Sequence, residues 1–242
     1  MYDIPPCIRD IGLGRTVYAC DRTECHASTV VRVPCAPRKL AAGRHVFVQG
    51  DPQIQVFLVR EGAVRLYKLL RNGRRQIIGF KFASDFINLS RDPKHRLSAQ
   101  AITDVELRAF PATSLHAIAA NEPRILSRLF DAVTADLTRA QDLTVTVGQR
   151  DADGCVAAFL LDLDSRASAR GEDADIVPLP MLRSDIADYL GLSLETVSRI
   201  FTSFRKRKLI ETVGLRAVRL VNRTALRAQC DLSAADRHAR MK

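Results

Sequence analysis

Apolar and polar positions alternate in short stretches between residues 37 and 111, the period of half-buried strands. Val46 and Val48 alternate, Val56 to Arg60 leads into Glu61-Gly62, and Val64 to Leu70 follows. Asn72-Gly73 predicts a tight hairpin turn, because both residues tolerate positive φ. The pattern resumes over Arg75 to Phe82 and over Leu97 to Phe110, closed by Pro111. Short strands at this spacing predict an antiparallel sandwich or jelly roll. Residues before this region show no sustained period and read as an N-terminal arm, residues 1–36.

From Ala112 the period becomes helical. Leu126, Phe130, Val133, Leu137, Ala140, Thr144 and Val147 follow alternating steps of four and three, a coiled-coil seam with one polar interruption. A helix from Glu122 to Val147 would be about 39 Å long. It could lie on the core of its own domain or pair with a second copy; a helix this long after a β-domain favours the pair. Gln149 to Gly154 breaks the pattern and reads as a hinge. Cys155 to Leu163 predicts another helix, with Val156, Phe159, Leu160 and Leu163 on one face. Asp164 to Asp175 is small and polar and reads as a loop.

The segment from Met181 to Phe201 carries the most specific pattern. Ser184 is placed to cap a short helix, with Asp185 at its positive end and Ile186, Ala187 and Leu190 on its buried face. Gly191 supplies a tight turn, and Ser193 caps a second helix. This is helix-turn-helix spacing. In the second helix Leu194, Val197, Ile200, Phe201 and Phe204 recur at steps of three and four and are expected inward. Glu195, Ser198, Arg199 and Thr202 share the opposite face. Arginine pairs bidentately with guanine, glutamate accepts from cytosine, and serine contacts several groups, so Glu195, Ser198 and Arg199 are the base-reading candidates. Ser184, Thr196, Thr202, Arg205, Lys206 and Arg216 are candidates for backbone or supporting contacts. Leu209 to Val213, Gly214 and Arg216 to Val221 predict a hairpin wing. Arg216 and Arg219 could reach phosphates there or simply face solvent.

Charge agrees with this reading. The 242-residue chain carries a formal net charge of +10, which makes polyanions expected partners. Met1 to Leu13 has no apolar core of signal length and no long apolar run follows, so a cytoplasmic protein without membrane partners is expected. The six cysteines, at 7, 20, 25, 35, 155 and 230, then read as thiols rather than disulfides. The five histidines are scattered without metal-ligand spacing, and no catalytic or nucleotide-binding fingerprint is present; an enzyme and a resident cofactor are not expected.

Asp-Ile-Ala-Asp-Tyr-Leu-Gly-Leu-Ser-Leu-Glu-Thr-Val-Ser-Arg, residues 185 to 199, resembles the DNA-reading signature of the CRP/FNR family of bacterial regulators. The Glu195, Ser198, Arg199 pattern is the version found in its FNR and FixK members, and the FixK-like subgroup fits best. Gly50-Asp51, Glu61 to Val64, Arg74 to Phe80 and Ala99 to Ala101 extend the likeness over residues 40 to 225. The resemblance implies an α+β protein: an N-terminal antiparallel β-roll like a cyclic-nucleotide-binding domain, a long dimerisation helix and a C-terminal winged helix-turn-helix. The expected boundaries are 37–121, 122–148 and 149–230, with a tail at 231–242. The seam residues Leu126, Phe130, Val133, Leu137, Ala140 and Val147 would form the homodimer interface. The resemblance further implies double-stranded DNA and RNA polymerase as partners, activation of transcription and a palindrome resembling TTGAT-N4-ATCAA.

The effectors of the family fit these residues poorly. Cyclic-AMP receptors carry Gly-Glu and Arg-Ser in a phosphate cassette; here Asn88-Leu89 and Leu97 stand in those places, with Arg96 one position away. A nucleotide phosphate would lose its charge partner, so no cyclic nucleotide is expected. Oxygen sensing in FNR uses three clustered N-terminal cysteines and a fourth in the β-roll, near where Arg108 stands here. A cluster on Cys7, Cys20, Cys25 and Cys35 remains an alternative to reduced thiols. The competing function is therefore the same fold under ligand, iron-sulfur or redox control.

Overall fold

The computed structural model describes residues 35–171 and 175–231. They form two compact units, divided within the long helix at residues 137 and 138, with residues 74–77 grouped with the second unit.

The first unit is built on eight strands: β1 (Ala36–Leu40), β2 (His45–Phe47), β3 (Gln55–Glu61), β4 (Val64–Leu69), β5 (Arg75–Lys81), β6 (Phe86–Ile87), β7 (Ser98–Ala101) and β8 (Val105–Pro111). They form two four-stranded sheets, ordered β1-β8-β3-β6 and β2-β7-β4-β5. Between the sheets lie Phe47, Phe57, Val59, Val64, Ile87, Ala99 and Leu107. Strand β3 is buried on both faces: Phe57 and Val59 enter this core, whereas Val56 and Leu58 join Phe110 and Leu115 in a second cluster. This explains why β3 reads as a continuous apolar run rather than an alternating one.

Two strand expectations need correction. Val46 is buried but Val48 is exposed, because β2 ends at Phe47 after an irregularity in its pairing with β7. The stretch from Leu97 to Phe110 is two strands, not one. Thr103 and Asp104 turn the chain between them: Thr103 Oγ1 accepts the Ala63 N–H at 3.0 Å and Asp104 Oδ1 accepts that of Ala42 at 2.9 Å. The chain does turn at Asn72-Gly73, but over the longer connection 70–74: the Gly73 N–H donates to the Leu70 carbonyl at 2.9 Å, and of the two residues Gly73 alone has positive φ, 77°.

Helix α1 (Ala112–Asn121) and helix α2 (Pro123–Gln149) are separated at Glu122, which is extended. Pro123 disfavours a helical conformation in the residue before it. Ile118, Ile125 and Leu129 pack on the second core cluster.

The second unit contains the last turns of α2, helix α3 (Ala152–Ala169), strand β9 (Ile176–Pro178), α4 (Arg183–Leu190), α5 (Leu194–Lys206), β10 (Ile210–Val213), β11 (Ala217–Leu220) and α6 (Arg223–Asp231). The expected hinge from Gln149 to Gly154 contracts to Arg150 and Asp151, where Asp151 caps α3 by accepting the Gly154 N–H at 2.8 Å. The expected loop after Leu163 is instead helical to Ala169. Asp164 holds Arg223 of α6 through two hydrogen bonds of 2.9 and 3.0 Å, and Ala167 is buried. Strand β9 was not anticipated; it completes a three-stranded sheet in the order β10-β11-β9.

Candidate nucleic-acid interface

Helices α4 and α5 are joined by the turn at Gly191, which adopts φ 68°, a left-handed conformation that suits glycine. The start of α4 differs from expectation. Leu182, not Ser184, occupies the capping position, and the Asp185 carboxylate accepts the Leu182 N–H at 3.2 Å. Asp185 is almost fully buried, whereas Ser184 sits half-buried within the first turn. Asp185 satisfies the helix start, and its charge suits the positive helix end. Ser193 does cap α5, accepting the Thr196 N–H at 3.1 Å.

Val197, Ile200, Phe201 and Phe204 are buried beneath α5. Leu194 was expected with them but is 46% exposed. As the first residue of the helix it has no preceding turn to hold it over the core. The opposite face presents Glu195, Ser198, Arg199 and Thr202, all exposed, and Arg205 and Lys206 continue it. Thr196 is half-buried, and its hydroxyl lies 3.0 Å from that of Ser193. The Glu195 carboxyl is held below the ordinary glutamate range by hydrogen bonds, first from its own backbone N–H and then from Ser193. It is thus an ionised acceptor at neutral pH. Lys208, at φ 55°, turns the chain out of the helix and into β10.

Strands β10 and β11 form the predicted hairpin. Arg216 is exposed in its turn, while its carbonyl accepts the Leu179 N–H at 2.7 Å beside β9. Arg219 pairs with Glu211 at 3.2 Å on the exposed hairpin face.

Arg183 was not singled out from the sequence. Its guanidinium stacks over the Phe201 ring, 3.2 Å from the centroid. Burial, then the nearby charge of Arg205, lowers its pKa to about 10. Arg183 therefore keeps its charge at neutral pH close to a second cation. Periodicity gave no signal for it, because the stacking partner lies on the other helix.

Elsewhere, the seam residues Leu126, Phe130, Val133, Leu137 and Val147 are 47 to 67% exposed, and Ala140 is exposed with them. In the β-roll, the Asn88 amide donates to the Gln55 carbonyl at 3.0 Å. Arg96 is turned outward onto Asp92, 2.6 Å away, and Leu97 is half-buried. Neither Asn88 nor Leu97 can supply the charge a cyclic phosphate requires. Cys7, Cys20 and Cys25 lie outside the described residues. Cys35 packs beside the cluster of Val56, Leu58 and Phe110. Among the described residues, no helix is long and apolar enough to cross a membrane.

A β-roll, a long helix and a winged helix-turn-helix with a polar outer face define a DNA-binding transcription regulator. Residues 37–122 match the family model for the cyclic nucleotide-binding domain, and residues 156–229 match that for the Crp-like helix-turn-helix domain. The nitrogen fixation regulation protein FixK of Bradyrhizobium diazoefficiens is 41% identical over 173 residues, 72% of this chain and 73% of that protein. The transcriptional activator protein Anr of Pseudomonas protegens is 35% identical over 179 residues, 73% of each. The solved structure of FixK2 from Bradyrhizobium japonicum superposes with a TM-score of 0.76 at 34% identity, covering 83% of this chain and 99% of that one. The chain belongs to the CRP/FNR family of transcription regulators and is of the FixK type.

Proposed function

We propose that the protein is a homodimeric activator that binds an inverted repeat resembling TTGAT-N4-ATCAA. Glu195, Ser198 and Arg199 read base edges. Ser184, Thr196, Thr202, Arg205, Lys206 and Arg216 support or contact the backbone, and Arg183 with Arg205 forms a further cationic pair toward phosphate. Two copies joined along Leu126, Phe130, Val133, Leu137, Ala140 and Val147 would set their reading helices about 34 Å apart, in successive major grooves. In this reading the protein acts in the cytoplasm, engages RNA polymerase and uses no cyclic nucleotide.

The observation that carries the proposal is the outer face of α5. An acceptor and a bidentate donor are exposed on one side while four large apolar residues anchor the other. Arg199→Ala is expected to cost about 1–3 kcal/mol on the cognate duplex and to relax selectivity at one base position. Fluorescence anisotropy with cognate and scrambled duplexes at fixed salt measures this. A wild-type ratio of the two affinities in the variant would remove Arg199 from base readout.

A further inference from the structure

We propose that a cavity in the second unit, between the last turns of α2 and helices α3, α4 and α6, binds a small organic anion: one acid group on an apolar body. The cavity measures about 590 Å³, within the range of small-molecule sites. Its cations are Arg139 on α2, Arg150 at the break before α3, and Arg227 on α6, against the carboxylates Asp142 and Asp162. Asp162 is itself paired with Arg166 at 3.9 Å, so the lining carries a positive excess, which favours an anion. Guanidinium groups suit an acid group in particular, because their planar fork donates two parallel hydrogen bonds to it.

The remaining walls suit an apolar body. Phe159 and Tyr189 line the cavity with rings tilted against each other, 5.6 Å between centroids. Burial pushes the Tyr189 hydroxyl up to about 12, so it stays a neutral O–H. Leu143, Ala158 and Leu161 extend the apolar lining.

The polar wall that α2 gives the cavity faces away from the seam. Arg139, Asp142 and Thr146 each follow a seam residue (Leu137, Ala140, Thr144) by two positions, about 200° around the helix. They lie on the far side of α2. The inference concerns small-molecule binding alone and is read without DNA, so it stands or falls apart from the DNA-binding proposal.

Anilinonaphthalene sulfonate, a fluorescent organic anion, is titrated into the full-length protein, with octanoate as competitor. One saturable site per chain is expected, with displacement by octanoate. Cys230 also lines the cavity, so bound probe should slow its alkylation by iodoacetamide, read by peptide mapping. Binding should weaken by about tenfold in Arg139→Ala/Arg227→Ala, which removes two guanidinium groups. Ala158→Phe should abolish it by filling the space with every charge retained. Circular dichroism confirms that each variant is folded. Unsaturable fluorescence, wild-type binding in either folded variant, or unchanged alkylation of Cys230 would overturn the proposal.

Discussion

The Lys81 ammonium lies 2.6 Å from both carboxylate oxygens of Asp136. Lys81 is buried at the end of β5, and Asp136 stands half-exposed on α2, so the pair ties the long helix to the β-roll. A buried ammonium deprived of its carboxylate keeps the cost of desolvation and loses the attraction that offset it. Asp136→Ala is expected to destabilise the protein by about 1–3 kcal/mol. Replacing both, as Lys81→Met/Asp136→Leu, should return stability close to wild type. Urea denaturation of the three proteins checks this; equal losses in the single and double variants would contradict it.

His95 predicts a pH dependence. Its ring stacks on Phe47 at 3.6 Å, it is 5% exposed, and its Nδ1 is buried without a partner among the described residues. Burial lowers its pKa, partly opposed by Asp51. The unfolded chain therefore binds the proton more readily than the folded one. The stability contributed by neutral His95 is present above the unfolded value, about 6.5, and is lost as pH falls from there through the folded value. Thermal melts of wild type should fall over that window, and His95→Gln should flatten that part of the curve. Parallel curves would exclude His95 as the cause.

The seam makes a prediction about assembly. Phe130 and Leu137 are 67% and 57% exposed, and a charge on each would meet its like across the proposed two-fold interface. If the proposed homodimer forms along this seam, wild type is expected to sediment as a dimer and Phe130→Glu/Leu137→Glu as a monomer. Affinity for the full palindrome should fall while affinity for a half-site stays. A variant that still sediments as a dimer would place the interface elsewhere.

Gly62 is constrained by its surroundings as well as by its φ of 86°. A Cβ there would collide with the Asp104 carbonyl, the Val105 side chain and the Thr103 hydroxyl. Gly62→Ala should cost about 1–3 kcal/mol from backbone strain alone, with the clash added. Gly73, with a similar φ and open space around it, is the control: Gly73→Ala should cost less.

Helix α5 and the turn before it were legible from sequence because their signals are local. Ser193, Gly191 and the steps of Val197, Ile200, Phe201 and Phe204 all act within a few residues of one another, and capping and periodicity need nothing more. The hairpin turn at Asn72-Gly73 is legible for the same reason. Ser184 shows where local signals compete: it and Asp185 are both capping residues, and the choice fell to Asp185, which accepts the N–H of Leu182.

Other features depended on partners far along the chain. Asp164 to Ala169 is polar enough to read as a loop, yet Arg223, 59 residues from Asp164, and the packing of Ala167 make it helix. Strand β9 is three residues long and exists through its pairing with β11. Lys81 and Asp136, 55 residues apart, carry no shared pattern. The residues from Met181 to Lys206 thus declared a helix-turn-helix through local spacing. Which charges met, which polar stretch became helix and where a cavity opened were decided by tertiary packing. Contacts between distant residues leave no period in the chain that makes them.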